Sequence, residues 1–169
     1  MKRPMTPYGY TLLRQELLKL KAMRSDLANA IEVARALGDL SENADYDAAK
    51  ERSGMVEAKI RDIEAKLANC DVIDPKDRGE IGEKVLFGTM IVIEDVDTGE
   101  KRTLTIVGAD ESDTSRNFIS LESPFGRAFI GKSVGEIAKV HAPGGAKEYE
   151  IVSVHVVDWE MEVKKILPS

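Results

Sequence analysis

Apolar side chains early in the chain recur at Leu13, Leu17, Leu20, Leu27, Ile31 and Ala34, in alternating steps of four and three broken only at Arg24. The same rhythm returns at Tyr46, Ala49, Ser53, Val56, Ile60, Ile63 and Leu67. Folded back at Leu40, the two series face each other. Leu13 meets Leu67, Leu17 meets Ile63, Leu20 meets Ile60, Leu27 meets Ser53, Ile31 meets Ala49 and Ala34 meets Tyr46. A heptad seam that reflects about a turn predicts an antiparallel coiled-coil hairpin. Thr6 and Pro7 read as the N-cap and first position of its first helix, where a missing N–H costs nothing. That helix runs to about Leu37, and Gly38 suits the left-handed position past its end. The second helix starts near 41–43 and ends near Asn69. Antiparallel packing would also set Arg14 against Glu64, Lys21 against Glu57 and Glu16 against Lys66, each pair of opposite sign.

Past 75–80, where proline, glycine and charge predict a linker, the pattern changes to period two with β-branched residues. Strands are predicted over 84–87, 89–95, 101–107, 118–121, 137–141 and 148–157. Asp97-Thr98-Gly99 and Pro143-Gly144-Gly145 predict hairpin turns, and 123–130 a short crossing helix. The fold class is therefore α+β: an N-terminal coiled-coil arm over 1–74, a linker over 75–80, and a small, mostly antiparallel β domain over 81–169. The tail from Trp159 onward fits neither period.

Composition narrows what such a protein does. Of 169 residues, 43% are apolar and 32% charged, which fits a folded soluble chain. A net charge of -6 argues against bulk nucleic-acid binding, and 5% aromatics advertise no base-stacking platform. Cys70 has no partner cysteine, and neither a CxxC nor a Cys/His cluster offers a zinc site. Met1-Lys2-Arg3-Pro4 leads into no apolar segment, and no run approaches membrane-spanning length. A cytoplasmic protein away from membranes is expected, and a monomer, since the hairpin buries its own seam. His141 and His155 stand apart in strand patterns, no serine lies in GxSxG, and Gly144-Gly145 lacks the surroundings of a phosphate loop.

The chemistry gathers at the predicted tip, 38–47. Asp39 and Glu42 flank the turn, with Asp45 and Asp47 beside them. Two readings fit these acids. They favour the dipole at the start of helix two, or they offer oxygen ligands to a hard divalent cation in a site completed by a partner. Asn43 suits a helix cap or a carboxylate-orienting role, and Tyr46 a plug for the end of the coil. Arg35, Lys50, Arg52 and Lys59 add basic charge on the distal arm, either as a solvated face or as a guide for a phosphate backbone.

The run Gly38-Asp39-Leu40-Ser41-Glu42-Asn43-Ala44-Asp45-Tyr46 resembles the tip motif of the bacterial transcript-cleavage factors GreA and GreB. The resemblance continues through Ile63-Glu64-Ala65-Lys66-Leu67-Ala68-Asn69 and Val72-Ile73-Asp74. It resumes at Val85-Leu86-Phe87-Gly88, Ile106-Val107-Gly108-Ala109-Asp110-Glu111, Ile119-Ser120-Leu121-Glu122-Ser123-Pro124 and Ala142-Pro143-Gly144-Gly145. It implies an FKBP-like domain that docks at the rim of the RNA polymerase secondary channel, through residues matching Ser123, Pro124, Arg127 and Ala128. It also implies a coiled coil that passes down the channel toward the extruded 3′ end of backtracked RNA. Asp39 and Glu42 match the two tip acids that help hold a second Mg²⁺ and a water there, a site that exists only in the polymerase complex. Asn43, Asp45 and Tyr46 would support the tip, and Arg35, Lys50, Arg52 and Lys59 are candidate RNA contacts. Such a factor stimulates cleavage by the polymerase and is not an enzyme alone. Ser41 and Asp45 look more like GreB, while 48–49 and 60–67 look more like GreA. Phe125-Gly126 replaces the Ile/Met-Ala usual before the docking arginine.

Overall fold

The computed structural model describes residues 2–37, 44–78 and 82–168. They form two compact units, Thr11–Asn69 and Met1–Tyr10 together with Cys70–Ser169. The expected class holds: two long helices precede a mixed sheet with a short helix. The division differs from the expected 1–74, 75–80 and 81–169, because both ends of the predicted arm segment belong to the β unit.

In the first unit, α1 (Pro7–Ala36) from Thr11 onward and α2 (Ala44–Ala68) share one apolar seam. Leu20, Leu27, Val56, Ile60 and Ile63 are buried together, flanked by half-buried Leu13, Leu17 and Leu67. Toward the tip, among the described residues, only small ones, Ala34 and Ala49, are buried at seam positions. Arg24, the break in the heptads, carries a charge contact across the seam. Its Nε donates to Glu57 Oε1 at 2.6 Å and its second nitrogen to Oε2 at 3.2 Å. Glu57 therefore takes Arg24 rather than the expected Lys21, since a forked guanidinium matches both carboxylate oxygens. Lys66 takes Asp62 of its own helix at 3.0 Å rather than Glu16, the short i,i+4 reach being easier than a crossing.

The second unit opens with β1 (Arg3–Met5), paired in parallel with β2 (Cys70–Val72), Arg3 opposite Cys70 and Met5 opposite Val72. Its main sheet contains β3 (Met90–Asp95), β4 (Lys101–Val107), β5 (Phe118–Ser120), β6 (Ile137–Ala142) and β7 (Gly145–His155), in the order β5-β4-β3-β7-β6. All neighbours are antiparallel except β4 and β5, which are joined by a crossover long enough to return the chain in parallel. Alternate residues supply the core: Ile91 and Ile93, Leu104 and Ile106, Ala138 and Val140, Tyr149 and Ile151. Helix α3 (Pro124–Phe129) adds Phe129 to it.

The predicted strand at 84–87 is not one. Lys84 forms an isolated bridge to Ser133, and the Thr89 hydroxyl donates to the Leu86 carbonyl at 2.7 Å, closing a turn instead. Nor is 75–80 a spacer where it is described. Pro75–Arg78 form a 3₁₀ turn, Asp74 and Pro75 are buried, and Lys76 pairs with Glu160 at 2.6 Å. The Glu160 carboxylate raises the Lys76 ammonium above its usual value.

The tail supplies α4 (Trp159–Ile166), capped by the Asp158 carboxylate, which accepts from Met161 N at 3.0 Å. Trp159 is fully buried and donates its indole N–H to the Gly88 carbonyl at 2.9 Å. Its ring lies 6.1 Å from Phe118 and 6.5 Å from Tyr8, and the Arg116 guanidinium stacks over both of those rings.

Candidate functional site

Asp39, Glu42 and Asn43 lie outside the described residues. What the structure places are their neighbours in sequence. Asp45 is exposed in the first turn of α2, as is Asp47, where acids meet the positive end of the helix dipole. Tyr46 is half-buried, and the Lys50 ammonium lies 5.3 Å from its ring centre. Arg35 pairs with Glu32 of its own helix at 3.7 Å, a solvated contact. Arg52 and Lys59 are exposed, and neither makes an ion pair among the described residues. Among the described residues no group of three or more His, Cys, Asp or Glu is placed to hold a metal, and no helix is long and apolar enough to cross a membrane.

The second set of candidates does come together. The Ser123 side chain caps α3, accepting from Gly126 N at 3.2 Å and donating to the Ser120 carbonyl at 2.6 Å. Pro124 at the helix start and Arg127 are exposed, and Ala128 is half-buried. Phe125 points to the other side, 5.5 Å from Tyr149 and 6.0 Å from Phe129, with Arg102 stacked over it. Gly126 follows from close approach, because a Cβ there would run into the Ser120 carbonyl and Leu121. The Phe125-Gly126 pair thus fits a helix pressed against the end of β5.

Sequence reasoning missed what stands opposite. Pro124, Arg127 and Ala128 share a cavity of about 500 Å³ with Glu122 and with Lys139 and His141 of β6. The signal was the period of two in β6: Ala138 and Val140 go into the core, so Lys139 and His141 share the outer face. Ser123 sets the helix start and does not line the cavity.

A buried polar clamp lies elsewhere in this unit. The Glu111 carboxylate accepts from Thr6 N at 2.7 Å, from Gly108 N at 2.9 Å and from the Thr6 hydroxyl. Thr6 Oγ1 in turn accepts from Gly9 N at 3.2 Å, which is the predicted N-cap of α1. Burial pushes the Glu111 carboxyl above its usual range, against the opposing pull of those donors. The reverse holds at Asp95, whose carboxyl is lowered by N–H groups of Asp97 and Thr98 and by Lys147.

A two-helix arm and a small, mostly antiparallel sheet domain on one chain define a class of protein, and comparison with known sequences identifies it. The model described as "Transcription elongation factor, N-terminal" matches residues 3–72, and "Transcription elongation factor, GreA/GreB, C-term" matches 80–156. The chain belongs to the GreA/GreB family of transcription elongation factors. It is 51% identical to transcription elongation factor GreA of Methylococcus capsulatus over 157 residues, 92% of this chain and 99% of that one. It is 51% identical to GreA of Ralstonia nicotianae over 152 residues, covering 89% and 96%. Among solved structures, the GreA/GreB factor of Nitrosomonas europaea matches at 23% identity over 91% of this chain and 99% of that one, with a TM-score of 0.40. The GreA factor homolog 1 of Thermus thermophilus matches at 24% over 92% and 99%, with a TM-score of 0.42. The family match ends at 156, so α4 lies beyond it.

Proposed function

We propose that this chain rescues arrested transcription by entering the secondary channel of RNA polymerase and stimulating cleavage of backtracked RNA. The reading is carried by one observation: two acids, Asp39 and Glu42, stand in sequence between the two long helices of a chain of this family. The seam supports it, because the small buried residues Ala34 and Ala49 keep the distal arm slim, as a narrow passage requires. On this reading α3 docks at the channel rim through Pro124, Arg127 and Ala128, with Ser123 fixing the start of the helix.

Asp39 and Glu42 offer carboxylate oxygens, the donor type that Mg²⁺ takes, and they would hold it jointly with acids of the polymerase. When bound, that ion supplies an activated water and neutralises charge developing on the phosphate. Asn43, Asp45 and Tyr46 support the tip, and Arg35, Lys50, Arg52 and Lys59 guide the RNA 3′ end toward it. The chain acts as a cytoplasmic monomer and is no nuclease by itself, since its two acids need the polymerase to complete the site.

The test is RNA cleavage in a reconstituted backtracked complex with Mg²⁺, comparing wild type with Asp39→Ala and Glu42→Ala. Either substitution should lower the stimulated rate by at least about 100-fold while competition shows unchanged binding. Product lengths then distinguish a GreA-like from a GreB-like pattern. Wild-type binding without cleavage would make the chain a channel-occupying regulator and end the catalytic reading of the tip.

A further inference from the structure

We infer that the cavity between α3 and β6 is a carboxylate-reading pocket, in which Lys139 and His141 join Arg127 to select an acidic side chain on the polymerase surface. The inference rests on the docking role proposed above for α3 and names the chemistry of the partner at that site.

The cavity of about 500 Å³ has room for one or two side chains. Arg127 on the helix and Lys139 and His141 on the strand line it, and Pro124 and Ala128 add apolar lining. Arg127, Lys139 and His141 are exposed, and among the described residues none of the three makes an ion pair. Among the described lining residues only Glu122 carries a negative charge. The whole chain carries a net charge of -6, so two cations and an imidazole around one concave site, against one carboxylate, stand out from its overall field. Such a local reversal of sign attracts an anionic partner.

The lining also selects among anions. A nucleic-acid backbone needs an extended basic track and gains from aromatic stacking. Here the basic groups form one compact cluster, Glu122 would repel a phosphate, and the single aromatic ring of α3's first turn, Phe125, faces the core. Apolar lining beside basic groups fits a protein helix that presents an Asp or Glu beside a small apolar residue. Arg127 alone, the residue the family motif points to, would give attraction without register. Lys139 and His141 meet the same carboxylate from the opposite wall and so fix where the helix sits.

Zero-length carbodiimide cross-linking of the full chain bound to core RNA polymerase, read by mass spectrometry, tests this directly. The expected product joins the Lys139 amine to an Asp or Glu of the polymerase. Alongside it, the concentration giving half-maximal cleavage is measured for Lys139→Ala, His141→Ala and Lys139→Glu, with Lys139→Arg as the conservative variant. Both positions are exposed, and circular dichroism confirms that each variant folds. The alanine variants should need about tenfold more protein and Lys139→Glu more still, while Lys139→Arg recovers. Lys164→Ala, a cation of the same unit on α4, should stay within about twofold. If wild type stimulates cleavage and every variant matches it, the pocket is overturned and the function stands. Cross-linking of Lys139 to RNA under ultraviolet light, in place of a polymerase carboxylate, also overturns it. A wild-type chain that neither binds nor stimulates the polymerase overturns both readings.

Discussion

At Glu111, hydrogen bonds converge from Thr6, the cap of the first helix, and from Gly108, just past the end of β4. A carboxyl raised in the folded state holds its proton more tightly there than in the unfolded chain. Its contribution to stability is therefore full below the ordinary carboxylate value and is lost as pH rises through the raised one. Denaturant unfolding across pH should show that falling component in wild type and lose it in Glu111→Gln. Glu111→Ala should cost about 1–3 kcal/mol at neutral pH, because buried N–H groups lose their acceptor. Asp95 runs the other way: its lowered carboxyl stabilises the fold above the ordinary value, and this is lost as pH falls through the lowered one. Asp95→Asn should thus be less stable than wild type at neutral pH, with the gap closing in acid. The Thr6 cap was legible because a cap is a local pattern. Its bond to Glu111 was not, since 105 positions separate the partners and either could have pointed to solvent.

Among the elements, the two arm helices were the most legible, because a seam that mirrors itself about a turn constrains both helices and their direction together. The heptads also marked where the pattern fails, at Arg24, but not that the failure would supply a crossing charge contact. Arg24→Ala should lower the stability of the arm by only about 0.2–1 kcal/mol, since both partners are well solvated. Helix α4 was illegible for a different reason: eight residues are too few for a period to emerge. Its signals were terminal ones, Asp158 as cap, Glu160 and Glu162 in the first turn, and Lys164 and Lys165 in the last. Trp159→Ala should cost about 3–5 kcal/mol, measured by chemical unfolding, through loss of a fully buried ring and its bond to Gly88. Lys139 and His141 lay in a correctly predicted strand, yet only the fold brings that strand beside α3.

For the whole molecule, motif resemblance pointed to the family that the comparisons show, and composition set the broad class. Unit boundaries were harder to read. Pro75 and the charges after it have the composition of a spacer, but Pro75 is buried and Lys76 is tied to Glu160. Composition describes what a segment prefers alone, and a tail helix with no recognisable period decided otherwise.

Trp159 is the sole tryptophan in the chain and belongs to the β unit, while the arm unit holds none. Its emission is therefore a built-in reporter of one unit only. Far-ultraviolet circular dichroism reports mostly the other, through helices of 30 and 25 residues. On heating, the helical signal should fall before the tryptophan emission shifts to the red, because the arm's seam narrows to alanines toward its tip. Coincident curves would instead mean that the arm and the β unit unfold as one cooperative body. The unmodified protein thus carries its own two-colour readout of whether its halves melt together.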